Sequence, residues 1–271
     1  MNFEILCVTM HQTDFSKIKE MNIRSNVVFA NQADTVKYEE LEFDGHTAKM
    51  ITTNTRGVGI NRNMALSYAS AEICLLADDD LTYKNDLEEI ICSEFNTHPE
   101  ADVFIFNVDV QKNFHERTEK KYKKTRKRYF WDGKPWGACR IAIRLSSIKK
   151  KNIWFTTLFG GGCVFPSGED SMFLQEIVDK RLKIYISKYT IGSVSFEKSS
   201  WFDGYNEKFF YGKGVYYKAT KSRSAFFWKH YSAFKHIKKG KLTYKEKIYW
   251  LKQGAKGYKQ MLSYEEFINK K

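Results

Sequence analysis

Three consecutive carboxylates, Asp78, Asp79 and Asp80, close an apolar run and are the strongest chemical signal in the sequence. Adjacent acids repel one another, and a divalent cation held among them relieves that cost. A hard ion such as Mg2+ or Mn2+ takes one or two carboxylates and completes its shell with substrate phosphates. There it would neutralise the charge that develops on a departing nucleotide diphosphate. The alternative is an acidic turn that caps the following helix. A calcium-loop register starting at Asp78 brings Asp80 and Glu89 to ligand positions. It fails on Thr82 at the fifth position and on Tyr83 where a glycine is required.

A second constellation is Arg56-Gly57-Val58-Gly59-Ile60-Asn61-Arg62. Gly-x-Gly after a strand invites a dinucleotide-binding reading, but the third glycine is replaced by Arg62, whose bulk obstructs close helix–strand packing. Arg62 reads better as a cation in a ligand crevice, beside a nucleotide. The alternative is a surface arginine on an amphipathic helix. In Ser167-Gly168-Glu169-Asp170, Ser167 and Asp170 have the spacing of a capping box, and acids suit a first helical turn. The other reading makes Asp170 a general base for an acceptor hydroxyl; local pattern alone favours the cap. The six histidines show no metal-binding spacing, and no nucleophile elbow or phosphate loop occurs.

These residues need a scaffold, and the first half of the chain reads as alternating strands and helices. Short apolar runs at 3–10, 26–30, 49–53, 71–77 and 101–110 predict strands. Helical patterns begin near Asp14, after Gly59, with Ile60, Met64 and Tyr68 on one face, and at about Asn85. Such alternation predicts a mainly parallel sheet with helices on both faces. Ligands of these sheets bind beyond the carboxyl ends of the strands, so residues 31–34 and Asp78 to Asp80 would line one crevice. Residues 117–128 form a basic segment, expected as a hairpin tip or mobile loop. A helix follows Asp170, then two strands near 183–186 and 190–196.

The net charge of +13 is unevenly placed. Residues 208–271 hold 17 Lys and Arg against 3 Asp and Glu, while the rest of the chain is close to neutral. In this tail Tyr244, Ile248, Leu251, Ala255, Tyr258 and Leu262 form an apolar stripe, with Lys245, Lys247, Lys252, Lys256 and Lys259 largely off it. A basic amphipathic helix suits an anionic membrane surface; equally, the stripe can pack on the body with the lysines solvated. Five scattered cysteines without paired spacing fit a reducing compartment. No secretion signal or membrane-spanning run is evident, so a cytoplasmic location is expected, peripheral on the inner face of the plasma membrane.

Three blocks, in order, carry a resemblance. They are Met10-His11-Gln12 with Asn31-Gln32-Ala33-Asp34; Arg56-Gly57 through Asn61-Arg62-Asn63-Met64-Ala65 to Asp78-Asp79-Asp80; and Gly168-Glu169-Asp170-Ser171 with Ser200-Trp201-Phe202-Asp203-Gly204. Together they resemble the family 2 glycosyltransferases, inverting enzymes of the GT-A fold, and in particular the bacterial branch that assembles surface polysaccharides. The likeness covers most of residues 1–215 and leaves the helical basic C-terminal tail outside. It departs from the family's usual opening, Pro-x-Tyr-Asn, where Met10-His11-Gln12 stands.

The resemblance implies an α/β, Rossmann-like GT-A sheet and a nucleotide-sugar donor, a UDP-sugar. Thr9, Asp34 and Arg62 would contact the base, with Asp78 at the ribose and Asp79 also on the donor. Asp80 would bind Mn2+ or Mg2+. It makes Asp170 the catalytic base in place of a mere cap, with Glu169, Glu197 and Trp201 bordering the site of a glycan or lipid-linked sugar acceptor. The implied organisation is a donor-binding half at 1–110, an acceptor-binding and catalytic half at 111–215, and a basic tail at 216–271. A sugar nucleotidyltransferase would need a glycine-rich, arginine-containing loop after the first strand, which is absent. A nucleic-acid partner fits poorly with a neutral body carrying an acidic crevice. A catalytically inactive scaffold of the same fold is the remaining alternative.

Overall fold

Side chains of a strand point alternately to opposite faces, and Phe3–Met10 (β1) shows what that demands here. Phe3, Ile5 and Cys7 enter one apolar cluster while Leu6 and Val8 enter another, so the strand is covered on both sides. The computed structural model describes residues 1–110, 121–128, 137–194, 204–220 and 224–270. The chain divides into two compact units, one of residues 1–156 and 170–197, the other of 157–169 and 198–271.

The first unit is built on a ten-stranded sheet. After β1 come Asn26–Gln32 (β2), Lys37–Phe43 (β3), His46–Thr53 (β4), Ile73–Asp78 (β5) and Leu81–Tyr83 (β6). Val103–Val110 (β7), Arg126–Lys127 (β8), Ile141–Arg144 (β9) and Ile184–Val194 (β10) complete it. The order is β3-β4-β2-β1-β5-β9-β7-β10-β6, with β8 beside β10. Pairs β4–β2, β2–β1, β1–β5 and β7–β10 are parallel, and β9 runs antiparallel to both β5 and β7. Helices Lys17–Glu20 (α1), Val58–Tyr68 (α2), Leu87–Thr97 (α3), Leu145–Lys150 (α4) and Glu169–Asp179 (α5) cover the sheet. α1 and α3 pack on the Phe3 side, and α2, α4 and α5 on the Leu6 side. The mainly parallel sheet with two covered faces is as expected.

Several details differ from the pattern in the sequence. β3 escapes an apolar-run reading because Lys37, Glu39, Glu40 and Glu42 fill it; it is the sheet's edge, where charge deters pairing with other chains. Strands β6, β8 and β9 are too short to leave a periodic signal. The two strands expected near 183–186 and 190–196 are one, β10, whose pairing with β7 shifts register between Ile186 and Thr190 and again before Ser193. Of the basic segment 117–128, residues 117–120 lie outside the described residues; Arg126 and Lys127 pair with β10.

The second unit is helical: Glu207–Thr220 (α6), Ala225–Lys235 (α7), Tyr244–Gln260 (α8) and Tyr264–Asn269 (α9). The expected stripe on α8 is partly spent within this unit, with Leu251 fully buried and Ile248 nearly so in a cluster with Phe210 and Ala233. Burial of such a side chain stabilises by about 1.5–3 kcal/mol. Lys247, expected off the stripe, is also fully buried; its ammonium donates to the carbonyls of His236 (2.9 Å) and Ile237 (3.2 Å) at the end of α7. Those carbonyls have no partner within a helix that stops there, and a cation suits that end of the dipole.

Glycine lets α6 and α8 approach. A Cβ on Gly254 would stand 1.9 Å from the Tyr211 carbonyl oxygen, and one on Gly214 would stand 2.1 Å from that of Leu251. Both obstacles are backbone, which cannot swing aside. Gly254→Ala is therefore expected to destabilise this unit by about 1–3 kcal/mol, as overpacking does. The measurement is the denaturant midpoint, and a midpoint equal to wild type would contradict so close an approach. Among the described residues, no helix is long and apolar enough to cross a membrane.

Candidate active site

Because β1, β2 and β5 are parallel neighbours, their carboxyl ends share one edge of the sheet. That edge gathers Thr9 near the end of β1, residues 31–34 at the end of β2, and Asp78 closing β5. The loop after β1 is pinned by Asn31, which is fully buried. Its amide donates to the Gln12 carbonyl (2.9 Å) and to Thr52 Oγ1 (3.0 Å), and its oxygen accepts from the Gln12 backbone N–H (3.0 Å). Asn61, on α2, donates to the carbonyls of Ala30 (2.7 Å) and Thr9 (3.2 Å), fastening the helix to both strand ends.

The turn into α2 explains its glycine: Gly57 has φ 113°, a conformation that side chains other than glycine's rarely adopt. The helix then buries Gly59, Asn61, Arg62, Ala65 and Leu66, whereas the expected Ile60, Met64 and Tyr68 face is half-buried to exposed. Tyr68 stacks instead on Tyr38 of the edge strand. Arg62 is thus an interior residue and not a surface arginine, with only 5% exposure.

A buried guanidinium needs charged partners, since leaving it unpaired costs several kcal/mol. Arg62 has two. Nη2 donates to Asp78 Oδ1 at 2.8 Å, and Nη1 donates to Asp170 Oδ1. The Phe155 ring lies beneath, 5.3 Å from the guanidinium carbon, and is itself stacked on Phe173 of α5. The other oxygen of Asp170 accepts from the Ala138 backbone N–H at 3.1 Å. Three segments far apart in sequence therefore meet through one side chain. The capping-box alternative is not what forms: α5 begins at Glu169, which puts Gly168 before it, and Asp170 turns to Arg62 and Ala138.

The other two carboxylates of the triplet have separate surroundings. Asp79 Oδ2 accepts from the Thr9 hydroxyl, and its backbone carbonyl accepts from Lys17 Nζ at 3.3 Å. Lys17 is held above its ordinary value, first by its hydrogen bond to Glu20 and further by Asp79, against partial burial. Asp80 has no cationic side chain paired with it among the described residues. Although it reaches solvent, the protein around it is its largest influence. That partial burial, then the charges of Asp78 and Asp79, lift its carboxyl to about 6, with Lys17 acting the other way. Burial first and Asp78 next push the Cys139 thiol far up, so it stays protonated and unreactive.

Asp34 stands apart, largely exposed and paired with Arg56, which also donates to the Ala33 carbonyl at 3.1 Å. Glu169 is half-buried at the start of α5. Glu197 and Trp201 lie outside the described residues. Sequence pattern gave no hint of Lys17, Ala138 or Phe155, whose parts depend on contacts 32 to 93 positions away.

A divalent cation fits this donor set. Among the described residues no three His, Cys, Asp or Glu side chains form a ready cage. Asp78 is engaged by Arg62 and Asp79 by Thr9, which leaves Asp80 as the carboxylate with charge to spare. One carboxylate plus substrate phosphates is the way Mg2+ is usually held beside nucleotides.

The family model for Glycosyl transferase family 2 matches residues 33–153. No protein of curated function matches the sequence. Solved structures do. The crystal structure of S. aureus TarS 1-349 in complex with UDP aligns with a TM-score of 0.62 at 13% identity, covering 97% of this chain and 93% of that one. The complex of TarS 1-349 with UDP-GlcNAc gives 0.60 at 14%, with the same coverage. The S. aureus TarS structure gives 0.55 at 14%, covering 98% of this chain and 44% of that one.

Proposed function

From a GT-A fold whose residues 33–153 match the family 2 glycosyltransferases, we propose that this chain is an inverting, metal-dependent sugar transferase. It moves a sugar from a UDP-sugar to a hydroxyl of a glycan or lipid-linked acceptor in surface polysaccharide assembly. The observation that carries the reading is the bridge from Asp78 through Arg62 to Asp170, which ties a donor-side carboxylate to a candidate base. The TarS complexes with UDP and UDP-GlcNAc support the nucleotide.

In this reading Thr9, Asp34 and Arg62 border the base, Asp78 and Asp79 the rest of the nucleoside, and Asp80 holds Mn2+ or Mg2+. When bound, the ion offsets the negative charge of the leaving diphosphate. Asp170 takes the proton of the acceptor hydroxyl as that oxygen bonds to the anomeric carbon. The bond from that carbon to the diphosphate breaks in the same displacement, so the configuration inverts and the nucleoside diphosphate leaves. Arg62 and the Ala138 N–H, one on each carboxylate oxygen, fix the orientation of Asp170. Glu169, Glu197 and Trp201 are assigned to acceptor recognition. Residues 1–110 hold the donor and 111–215 the acceptor. The reaction takes place on the cytoplasmic face of the plasma membrane, with residues 216–271 toward the lipid.

Calorimetric titration of UDP, with and without Mn2+, tests the proposal. Wild type is expected to bind UDP at least about tenfold more tightly with the ion, and Asp80→Ala to lose that gain. Failure of UDP, GDP and dTDP alike to bind wild type would refute a nucleotide-sugar enzyme.

A further inference from the structure

α7 is inside out. Ala225, Ser232 and Ala233 face the helical unit, while Phe226, Phe227 and Phe234 are 71%, 65% and 68% exposed. Phe227, Tyr231 and Phe234 fall at i, i+4 and i+7, so they line one side of the helix, and Ile237 extends it. A contiguous exposed apolar face of this kind marks an interaction surface.

Its surroundings are cationic. Between residues 208 and 260 the sequence contains one acid, Glu246, whose carboxylate accepts from the Thr243 N–H and hydroxyl as a helix cap. A cleft beside the aromatic face is lined by Lys218, Lys229, Lys256 and Lys259 together with Phe226. No carboxylate lines it among the described residues. Crowding is felt there: burial first, then Lys252 and Lys218, hold Lys229 below its ordinary value. An anion in the cleft would relieve that.

We propose that α7 docks on an anionic lipid bilayer, with Phe226, Phe227 and Phe234 entering the interface and the lysine cleft receiving a phosphate headgroup. Charge complementarity selects this occupant: a protein groove would match the phenylalanines alone, and a soluble polyanion the lysines alone. Aromatic residues beside lysines match both layers of an anionic membrane surface. The α8 stripe, the sequence's own candidate for this task, packs partly inside the unit, so the docking face passes to α7. This gives the membrane-facing part of the functional proposal a location. Its test reads vesicle binding and not sugar transfer, so either idea can fail alone.

The experiment is cosedimentation of the full chain with vesicles of phosphatidylcholine, alone or mixed with phosphatidylglycerol. Wild type is expected on the anionic vesicles, weakly or not at all on the neutral ones, and to be released by salt. The triple variant Phe226→Ser/Phe227→Ser/Phe234→Ser and the pair Lys256→Glu/Lys259→Glu should each bind at least about tenfold more weakly. All five positions are exposed, and thermal melts check that the variants fold; the lipid-charge and salt arms need no variant. Equal binding to both vesicle types, no vesicle binding, or a phenylalanine variant that binds like wild type would overturn the proposal. Binding to a single-stranded oligonucleotide that needs the lysines and ignores the phenylalanines, without vesicle binding, would overturn it in favour of a nucleic acid.

Discussion

Asp170→Asn is expected to bind UDP as wild type does and to lower kcat for sugar transfer by about a thousandfold, the middle of the range for removal of a general base. The amide keeps the shape of the carboxylate, and its oxygen can still accept from Arg62 or from the Ala138 N–H. What it loses is the ability to take a proton. Loss of kcat with an unchanged donor KM would identify a group that acts on the acceptor in the transition state. Loss of nucleotide affinity together with kcat would show instead that Asp170 serves to hold Arg62 in place. Activity within a few fold of wild type would exclude it as the base.

Arg62→Met is expected to damage both folding and transfer. Removing the guanidinium takes from Asp78 and Asp170 the counter-charge they share. Breaking a fully buried pair costs about 3–5 kcal/mol, but both partners retain some solvent, so about 2–3 kcal/mol is the expected loss. The readout is the denaturant midpoint. Because donor side and base lose their common anchor, kcat/KM should fall by at least about a hundredfold. Arg62→Lys should recover part of the stability and little of the activity. One ammonium lacks the planar fork that reaches two carboxylates at once. If Arg62→Lys is fully active, the bridge does not align the two groups.

How far the sequence reveals this site depends on distance along the chain. Asp78 to Asp80 are legible because an apolar strand must end where charges begin, and Gly57 because a sharp entry to a helix needs it. Arg62 is not legible as an interior residue: its burial is decided by Asp170, 108 positions later. A reading of α2 by periodicity alone therefore chooses the wrong face. The edge strand β3 hides for the opposite reason, since an exposed edge is favoured to be charged and so imitates a loop. Strand β9 is four residues long and has its place only because β5 and β7 leave room between them.

The C-terminal helices divide in the same way. The apolar stripe of α8 is written plainly in its sequence, but its partner is not, because a glycine that admits a neighbouring backbone looks like any other glycine. Lysines there all look like surface residues, and one is not. Lys247 is the lysine among the described residues whose amine is sealed from water, held by two carbonyls at the end of α7. An acetylating enzyme or an amine-reactive reagent can mark its neighbours on the folded protein. It meets Lys247 only when α7 and α8 part. A chemical tag on Lys247 would thus be a lasting record of that opening, written beside a crowd of lysines that record only contact with solvent.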